Sequence, residues 1–176
     1  MACNLTGGIP LNCRDNVGGV DTIWITDYTN ITSLTSSSAD TITTISGTGT
    51  FYEFQLIRTS SQYTETVNAS LENGTVFYTQ ELITYFAKLD QTKRNILKTL
   101  AQSPRLAIVM KDNNNKFFYL GQTYGSFISA GSSVTGKALG DAAGYNLTFQ
   151  ALEPNPMNEL GGTLASVAQG ISVQSL

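Results

Sequence analysis

Two alternating segments joined by Asn73-Gly74 limit the fold of this chain more than any other feature. Asn-Gly is the strongest short signal for a β-hairpin, because both central residues of a type I′ turn need a positive φ angle. Before the turn, Tyr63–Leu71 alternates apolar and polar side chains, as a strand does when one face is buried and the other is exposed to solvent. If the dipeptide forms the whole loop, Glu72 pairs with Thr75 and the return strand runs to about Phe86.

This predicted hairpin is unusually long. An arm of ten residues spans about 34 Å, and strands usually have about five or six residues. The predicted register places Thr66 opposite Glu81 and Ala69 opposite Tyr78. We therefore expect the hairpin to overhang its own domain and to contact another chain. The residues expected in this oligomer interface are Tyr63, Val67, Ala69, Leu71, Asn73, Gly74, Val76, Phe77, Tyr78, Ile83 and Tyr85.

The composition excludes several classes of active site. The chain has 176 residues, enough for one domain with a substantial core, and it contains no histidine. Without histidine there is no Ser-His-Asp or Cys-His catalysis and no His-ligated zinc or haem. Cys3 and Cys13 allow at most one disulfide. Because the sequence shows neither a secretory signal nor an apolar run long enough to cross a membrane, we expect synthesis in a reducing cytosol and free thiols.

Charged residues make up only 13% of the chain, and their signs are unevenly spread. Residues 88–116 hold seven basic side chains and two acidic ones. Three interpretations remain open: a solvated helix face, a basic surface that meets an acidic surface of the next subunit, and nucleic-acid binding. The pI of about 4.8 makes nucleic-acid binding the weakest of the three. The residues expected in the basic inter-subunit surface are Lys93, Arg94 and Lys98.

One helix is predicted, at Gln91–Gln102, with Asp90 as its N-cap and Ser103-Pro104 at its end. Its apolar positions are Ile96, Leu97, Leu100 and Ala101. The other predicted elements are strands: Val20–Thr26, Ile31–Leu34, Thr41–Ser46 in a hairpin with Thr50–Arg58, Leu106–Met110 in a hairpin with Lys116–Leu120 around a turn at Asp112–Asn115, and Tyr145–Leu152. This order predicts a mainly antiparallel β-sandwich or barrel with one flanking α-helix and a long β-hairpin arm.

The predicted domain covers residues 1–153, with an N-terminal arm at 1–19. Residues 154–176 form either a docking tail or a disordered extension. No carboxylates are paired as in a glycosidase, and the turn at Asp141 lacks the spaced carboxylates of a calcium site. We therefore expect no catalytic residues, no metal and no cofactor.

Several blocks, taken in order, resemble a known family. They are Cys3–Gly8, Cys13–Val20, Glu72-Asn73-Gly74 with the strand after it, the Lys93-Arg94 helix, Lys111–Gly121, and Thr135–Lys137 through Gly140-Asp141 to Gly144-Tyr145. The chain is similar to tail tube proteins, or closely related virion structural proteins, of tailed bacteriophages that infect Bacteroidetes-type hosts. The likeness covers roughly residues 3–157.

The resemblance implies six-fold rings that stack into a hollow tube for genome delivery. It implies a virion tail protein made in the host cytoplasm, whose partners are further copies of itself, tape-measure, terminator and baseplate proteins, and passing DNA. In such a ring, edge-to-edge pairing of the hairpins closes a barrel, with Glu65 and Glu53 as further sources of negative lumen charge. The residues expected to face the lumen are Thr64, Thr66, Asn68, Thr79 and Glu81.

Other structural roles remain as alternatives. One is a terminator or another ring protein of the virion, and another is a capsid decoration protein. A third, from a different class, is a monomeric β-sandwich that binds a receptor or a carbohydrate. That third role needs an exposed aromatic platform or a calcium site.

Overall fold

The computed structural model describes residues 7–11, 13–37 and 40–176. The strands in chain order are β1 (Val20–Asp27), β2 (Ile31–Ser36), β3 (Ile42–Gly47), β4 (Thr50–Gln55), β5 (Gln62–Ser70), β6 (Thr75–Ala87), β7 (Leu106–Asp112), β8 (Phe117–Leu120), β9 (Phe127–Val134), β10 (Gly144–Glu153), β11 (Asn158–Glu159), β12 (Ala168–Gln169) and β13 (Ser172–Gln174). The helices are α1 (Gln91–Gln102) and α2 (Leu164–Val167), and a 3₁₀ turn lies at Tyr28–Asn30. The predicted mainly antiparallel β-sandwich with a flanking helix is confirmed.

The strands form three sheets. The six-stranded sheet has the order β11-β8-β7-β1-β4-β13, the four-stranded sheet β5-β6-β10-β9, and the three-stranded sheet β12-β3-β2. One core contains Ile23 and Ile25 of the six-stranded sheet together with Leu82 and Phe149 of the four-stranded sheet. The second core joins the other face of the six-stranded sheet to β3 and α2. The six-stranded sheet is therefore the middle layer.

The position of the middle layer explains its sequence. Leu106–Met110 is buried at every position, as expected for a central strand, because alternate side chains enter different cores. In β1, Ile25 belongs to the first core while Trp24 packs against the second. The two-sided burial also accounts for β4, where Phe51 is fully buried in the second core and Phe54 packs against the first.

The long hairpin is present, but its predicted turn is wrong. Ser70 pairs with Thr75, so the loop is the four-residue segment Leu71–Gly74 and not a dipeptide. Gly74 has a φ angle of +62° and Asn73 has none in the positive range, which excludes a type I′ turn. The register slips by two residues, and Glu81 lies opposite Thr64. A slip of two preserves the parity of every side chain.

The hairpin overhangs less than expected. Residues Tyr78–Ala87 of β6 pair with β10 along its whole length. Only Thr75–Phe77 of β6, with Asn68–Ser70 opposite on β5, extend beyond that pairing. The expectation of a free-standing arm overlooked β10, which occupies the second edge of β6 within the same molecule.

The predicted hairpin between Thr41–Ser46 and Thr50–Arg58 is wrong. β3 pairs with β2 and β12, whereas β4 pairs with β1 and β13. The chain crosses between layers at Gly47, where an added Cβ would lie 2.0 Å from the Asn30 carbonyl oxygen. This close approach requires glycine.

The second predicted hairpin, β7–β8, is confirmed. In its turn, the Asp112 carboxylate accepts the backbone N–H groups of Asn114 at 2.9 Å and Lys116 at 2.8 Å. Asn115 adopts a φ angle of +62°, which asparagine tolerates better than most residues. The turn also holds the chain ahead of β1, because Asn114 exchanges side-chain hydrogen bonds with the backbone of Val17.

Helix α1 has the predicted bounds, and the Asp90 carboxylate accepts the Thr92 N–H at 3.1 Å. Leu97 and Leu100 pack against the first core, but Ile96 is 44% exposed and none of the helix side chains is fully buried. Neither described helix is long and apolar enough to cross a membrane.

Residues after Glu153 belong to the fold. They supply the short helix α2 and three strands. Strand β11 pairs with β8, β12 with β3, and β13 with β4. The side chains that this segment adds to the second core are Leu160, Leu164, Val167 and Ile171.

Candidate assembly surface

One face of the four-stranded sheet is polar and open. The register places Thr64 beside Glu81, and Glu81 beside Gln150, on the side opposite the buried Leu82 and Phe149. We call this side the open polar face. It carries all the residues predicted to face a lumen, namely Thr64, Thr66, Asn68, Thr79 and Glu81. It also carries residues that the sequence did not reveal, namely Ser132, Asn146, Thr148 and Gln150.

The open polar face is almost uncharged. Among the described residues of its four strands, Glu81 is the one ionisable acid or base on this side. Asn68 donates to the Thr79 hydroxyl at 2.8 Å, which links the two strands of the hairpin. Ile83 and Tyr85 lie half-buried on the same face, beside Thr148 and Asn146. Towards the ends of its strands the face also exposes four apolar side chains, Phe77, Phe127, Val134 and Leu152.

Two other acids expected to add negative lumen charge lie elsewhere. Glu65 is on the core side of β5, where it accepts the Tyr63 hydroxyl at 2.9 Å and the Met157 N–H at 2.8 Å. Burial, and then this carboxylate, raises the pKa of Tyr63. Glu53 is in the middle sheet and accepts the Leu176 N–H at 3.1 Å. Glu65 shares the parity of Tyr63 and Val67 and so lies away from the open polar face. Glu53 belongs to a different sheet, which its position in a predicted strand did not show.

Neither edge of the four-stranded sheet pairs with another strand among the described residues. Of the edge strands described here, β5 with nine residues and β9 with eight are the longest. Exposed edges are usually protected by charges, proline or bulges. β9 has neither a charged residue nor a proline, although its pairing with β10 is bulged at Ser129. The one charge in β5, Glu65, points towards the core. These edges are thus available for pairing with another chain.

Apolar side chains are exposed where the hairpin ends. Together they form the hairpin-end patch: Val67, Leu71, Val76, Phe77, Tyr124, Phe127 and Leu152, each between 37% and 100% exposed. Five of them, with Gly125, Glu153 and Pro154, line a cavity of about 550 Å³.

The predicted interface set divides between three places. Val67, Leu71, Val76 and Phe77 belong to the hairpin-end patch, and Ala69, Asn73 and Gly74 are exposed beside it. Tyr63 packs against the first core and Tyr78 is half-buried on the same side, whereas Ile83 and Tyr85 lie on the open polar face.

A buried carboxylate that the sequence analysis missed holds the loop beside this patch. Glu153 is 2% exposed and accepts the backbone N–H groups of Thr123 at 2.9 Å and Tyr124 at 2.8 Å. Arg105 donates to the Tyr124 carbonyl at 2.7 Å, and the Tyr28 hydroxyl donates to the Thr123 carbonyl at 2.8 Å. The only available signal was an acid directly after the predicted strand Tyr145–Leu152, at the same parity as Ala151.

Four of the seven basic side chains in residues 88–116 are engaged within the molecule. Lys111 pairs with Asp21 at 3.1 Å and Lys116 with Glu159 at 3.0 Å. Lys93, predicted to lie on a basic surface with Arg94 and Lys98, instead donates to the Ala87 carbonyl. Arg94, Lys98 and Lys88 remain exposed with no partner among the described residues.

No cluster of metal-ligating side chains occurs among the described residues. The Asp141 carboxylate accepts the backbone N–H groups of Ala138 and Lys137, which lowers its pKa and closes a local turn. Cys13 is an exposed free thiol, which confirms the expectation for this residue. Cys3 lies outside the described residues.

The chain matches no family model, no curated protein and no solved structure.

Proposed function

We propose that this protein is a structural subunit that assembles into closed rings, and that the rings stack into the tube of a phage-type tail through which DNA passes. The observation that carries the proposal is the four-stranded sheet, which joins two long edges, free of proline and of outward-pointing charge, to one open polar face. Edge strands of this kind pair readily with other chains.

Strand direction favours a ring. Successive neighbours in the order β5-β6-β10-β9 are antiparallel, so β5 and β9 run in opposite directions. When β9 of one copy lies beside β5 of the next, the junction is antiparallel as well. The contact is heterologous, and such contacts generate rings when the rotation closes. Closure removes every free edge of this sheet.

The size of such a ring suits DNA. Six copies, the number that the family resemblance implies, give a barrel of about 24 strands. With strands about 4.8 Å apart and tilted by about 40°, opposite backbones lie about 48 Å apart. After side chains are added, the channel remains wider than a DNA duplex.

The charge of the open polar face suits the lining of a channel through which DNA passes without being held. Proteins hold DNA mainly by neutralising phosphates with Lys and Arg. The open polar face has neither, and Glu81 adds one negative charge per copy. DNA is therefore hydrated by the hydroxyl and amide groups and repelled by the carboxylates.

Cysteine cross-linking tests the ring. In a background with Cys3→Ser and Cys13→Ser, one cysteine replaces Thr64 or Thr66 on β5 and a second replaces Ala130, Ser132 or Val134 on β9. All five positions lie on the open polar face, so one pairing brings two thiols to the separation of a cross-strand disulfide. We expect oxidation to give a ladder of covalent oligomers that ends at the closed ring.

The matched control places the β5 cysteine at Val67, on the opposite face of the same strand. This variant is expected to give no ladder. A protein that stays monomeric by sedimentation, and gives no ladder with any pairing, would exclude the ring.

Glu81→Lys is expected to convert the channel into a DNA-binding surface. Each ring then carries one cation per copy in place of one anion, and bound DNA releases counterions. We expect assembled tubes of the variant to retain double-stranded DNA in a filter-binding assay at low salt, with affinity that falls as salt rises. In phage, genome ejection slows.

Glu72→Lys makes the same charge change in the hairpin turn, away from the open polar face, and is expected to leave DNA binding at the unaltered level. Equal DNA retention by the two variants would show that Glu81 does not face the channel.

A monomeric receptor- or carbohydrate-binding module is the second candidate. The hairpin-end patch favours it, because Phe77, Tyr124 and Phe127 expose aromatic rings beside a cavity of about 550 Å³. A persistent monomer in sedimentation, together with glycan binding that is lost in Tyr124→Ala, would support this candidate over the ring.

A further inference from the structure

The segment ahead of β1 exposes two large apolar side chains. Ile9 is 99% exposed and Leu11 is 102% exposed, so neither packs on its own molecule. We call residues 7–11 and 13–15 the leading arm. Its attachment is the β7–β8 turn, where the Asn114 carboxamide accepts the Val17 N–H and donates to the Val17 carbonyl, each at 2.8 Å. The leading arm therefore extends away from a fixed point.

An apolar groove lies along helix α1. It has a volume of about 770 Å³ and is bounded by α1, β1, β4 and the end of the chain. We call it the α1 groove. Its apolar lining consists of Ile25, Phe54, Phe86, Leu97, Leu100 and Leu106, with Ile96 44% exposed and Tyr52 55% exposed at its opening. The absence of any fully buried side chain in α1 shows that the helix is under-packed on this side.

We propose that the leading arm of one copy occupies the α1 groove of a second copy. The five residues Gly7–Leu11 span about 17 Å when extended. The twelve residues of α1 span about 18 Å. The groove volume lies within the range of about 300–1,000 Å³ found for ligand pockets. Pro10 restricts the backbone between the two apolar side chains, which reduces the entropy lost when the arm is ordered.

Charge supports the same occupant. Asp27 and Glu53 line the α1 groove, and its one basic residue, Lys93, donates to the Ala87 carbonyl. Arg14 follows the apolar part of the leading arm and is exposed. With Ile9 and Leu11 in the groove, Arg14 lies at its acidic rim, where opposite charges favour the correct docking orientation.

The leading arm does not occupy the groove of its own molecule. Ile9 and Leu11 are exposed, whereas side chains in the groove would be covered by α1 and the middle sheet. The arm leaves beside the β7–β8 turn, and part of the groove, at Leu106, lies at the other end of β7.

The native Cys13 provides the test. The test variant carries two substitutions. Cys3→Ser leaves Cys13 as the one thiol of the arm, and Ile96→Cys places a second thiol at the opening of the groove. We expect mild oxidation to give disulfide-linked oligomers on a non-reducing gel. When ¹⁴N- and ¹⁵N-labelled proteins are mixed, the linked peptides are expected to combine the two labels. Leu139→Cys, which replaces Ile96→Cys with a more exposed thiol in the loop before Asp141, is the control and is expected to give at most a few per cent of that yield.

A second variant removes the apolar contacts. Ile9→Asp with Leu11→Asp leaves the folded monomer unchanged, because these side chains have no contacts of their own. We expect the cross-linking yield to fall about tenfold or more, since both side chains lose their apolar burial. Unchanged yield in this variant, linkage only within single chains, or equal linkage with Leu139→Cys would each overturn the proposal. Linkage that persists when the β5 and β9 edges are blocked shows that the arm contact is independent of the ring.

Discussion

Chains with lysine at both Thr66 and Ser132 are expected to remain monomeric at concentrations at which the unaltered protein forms rings. Thr66 and Ser132 are exposed, on the same face of β5 and β9 respectively. At a β9–β5 junction between copies, the two ammonium groups meet, and their repulsion together with the loss of favourable pairing costs on the order of 1 kcal/mol. Over a six-membered ring the cost is about 6 kcal/mol, a factor of about 10⁴ in the ring equilibrium.

The matched variant combines Thr66→Lys with Ser132→Glu. It carries the same substituted positions, but each junction now pairs opposite charges, and we expect ring formation to recover. Sedimentation velocity and negative-stain microscopy at a series of protein concentrations measure both outcomes. Rings formed equally well by the double-lysine protein would show that the two edges do not meet.

Glu153→Ala is expected to be the most destabilising single substitution of a charged residue in the described chain. The backbone N–H groups of Thr123 and Tyr124 lose a charged acceptor that is itself buried. A hydrogen bond to a charged group contributes about 1.5–3 kcal/mol, so the loss of two is expected to lower the free energy of unfolding by about 3 kcal/mol. Urea denaturation of the monomer, followed by tryptophan fluorescence, measures the change as a lower midpoint.

Glu159→Ala is the comparison for this experiment. Glu159 also pairs with another group, Lys116, but the pair is largely exposed, and such pairs contribute about 0–1 kcal/mol. If the two alanine variants unfold at the same urea concentration, the Glu153 carboxylate does not hold the loop. The amide exchange rates of Thr123 and Tyr124 then locate the difference.

Features set by local chemistry could be predicted from the sequence. The N-cap at Asp90 defines the start of α1, and the turn at Asp112–Asn115 defines the β7–β8 hairpin, because the side chains involved act within a few residues of themselves. The parity of β10 was predicted as well, since Leu147 and Phe149 alternate with polar residues on a sheet that has one exposed face.

Features set by the order of the strands in the sheets could not be predicted from the sequence. The loop at Asn73-Gly74 fits either a two- or a four-residue turn with the same parity, and the side-chain pattern does not distinguish them. The pattern of Thr41–Ser46 does not show that β3 and β4 enter different layers. Strand β9 is rich in Ser and Gly and lacks a clear period, so neither it nor its free edge was predicted. The candidate surface depends on that edge.

The four-stranded sheet has an even number of strands. If evolution added a single strand to this sheet, the two edge strands would run in the same direction. The strands that meet at each junction of a ring would then be parallel, and the antiparallel pairing between copies would be lost. Gains and losses of strands in this layer are therefore tolerated in whole hairpins. The bore of related tubes is expected to change in discrete steps, by altering either the number of hairpins per subunit or the number of subunits.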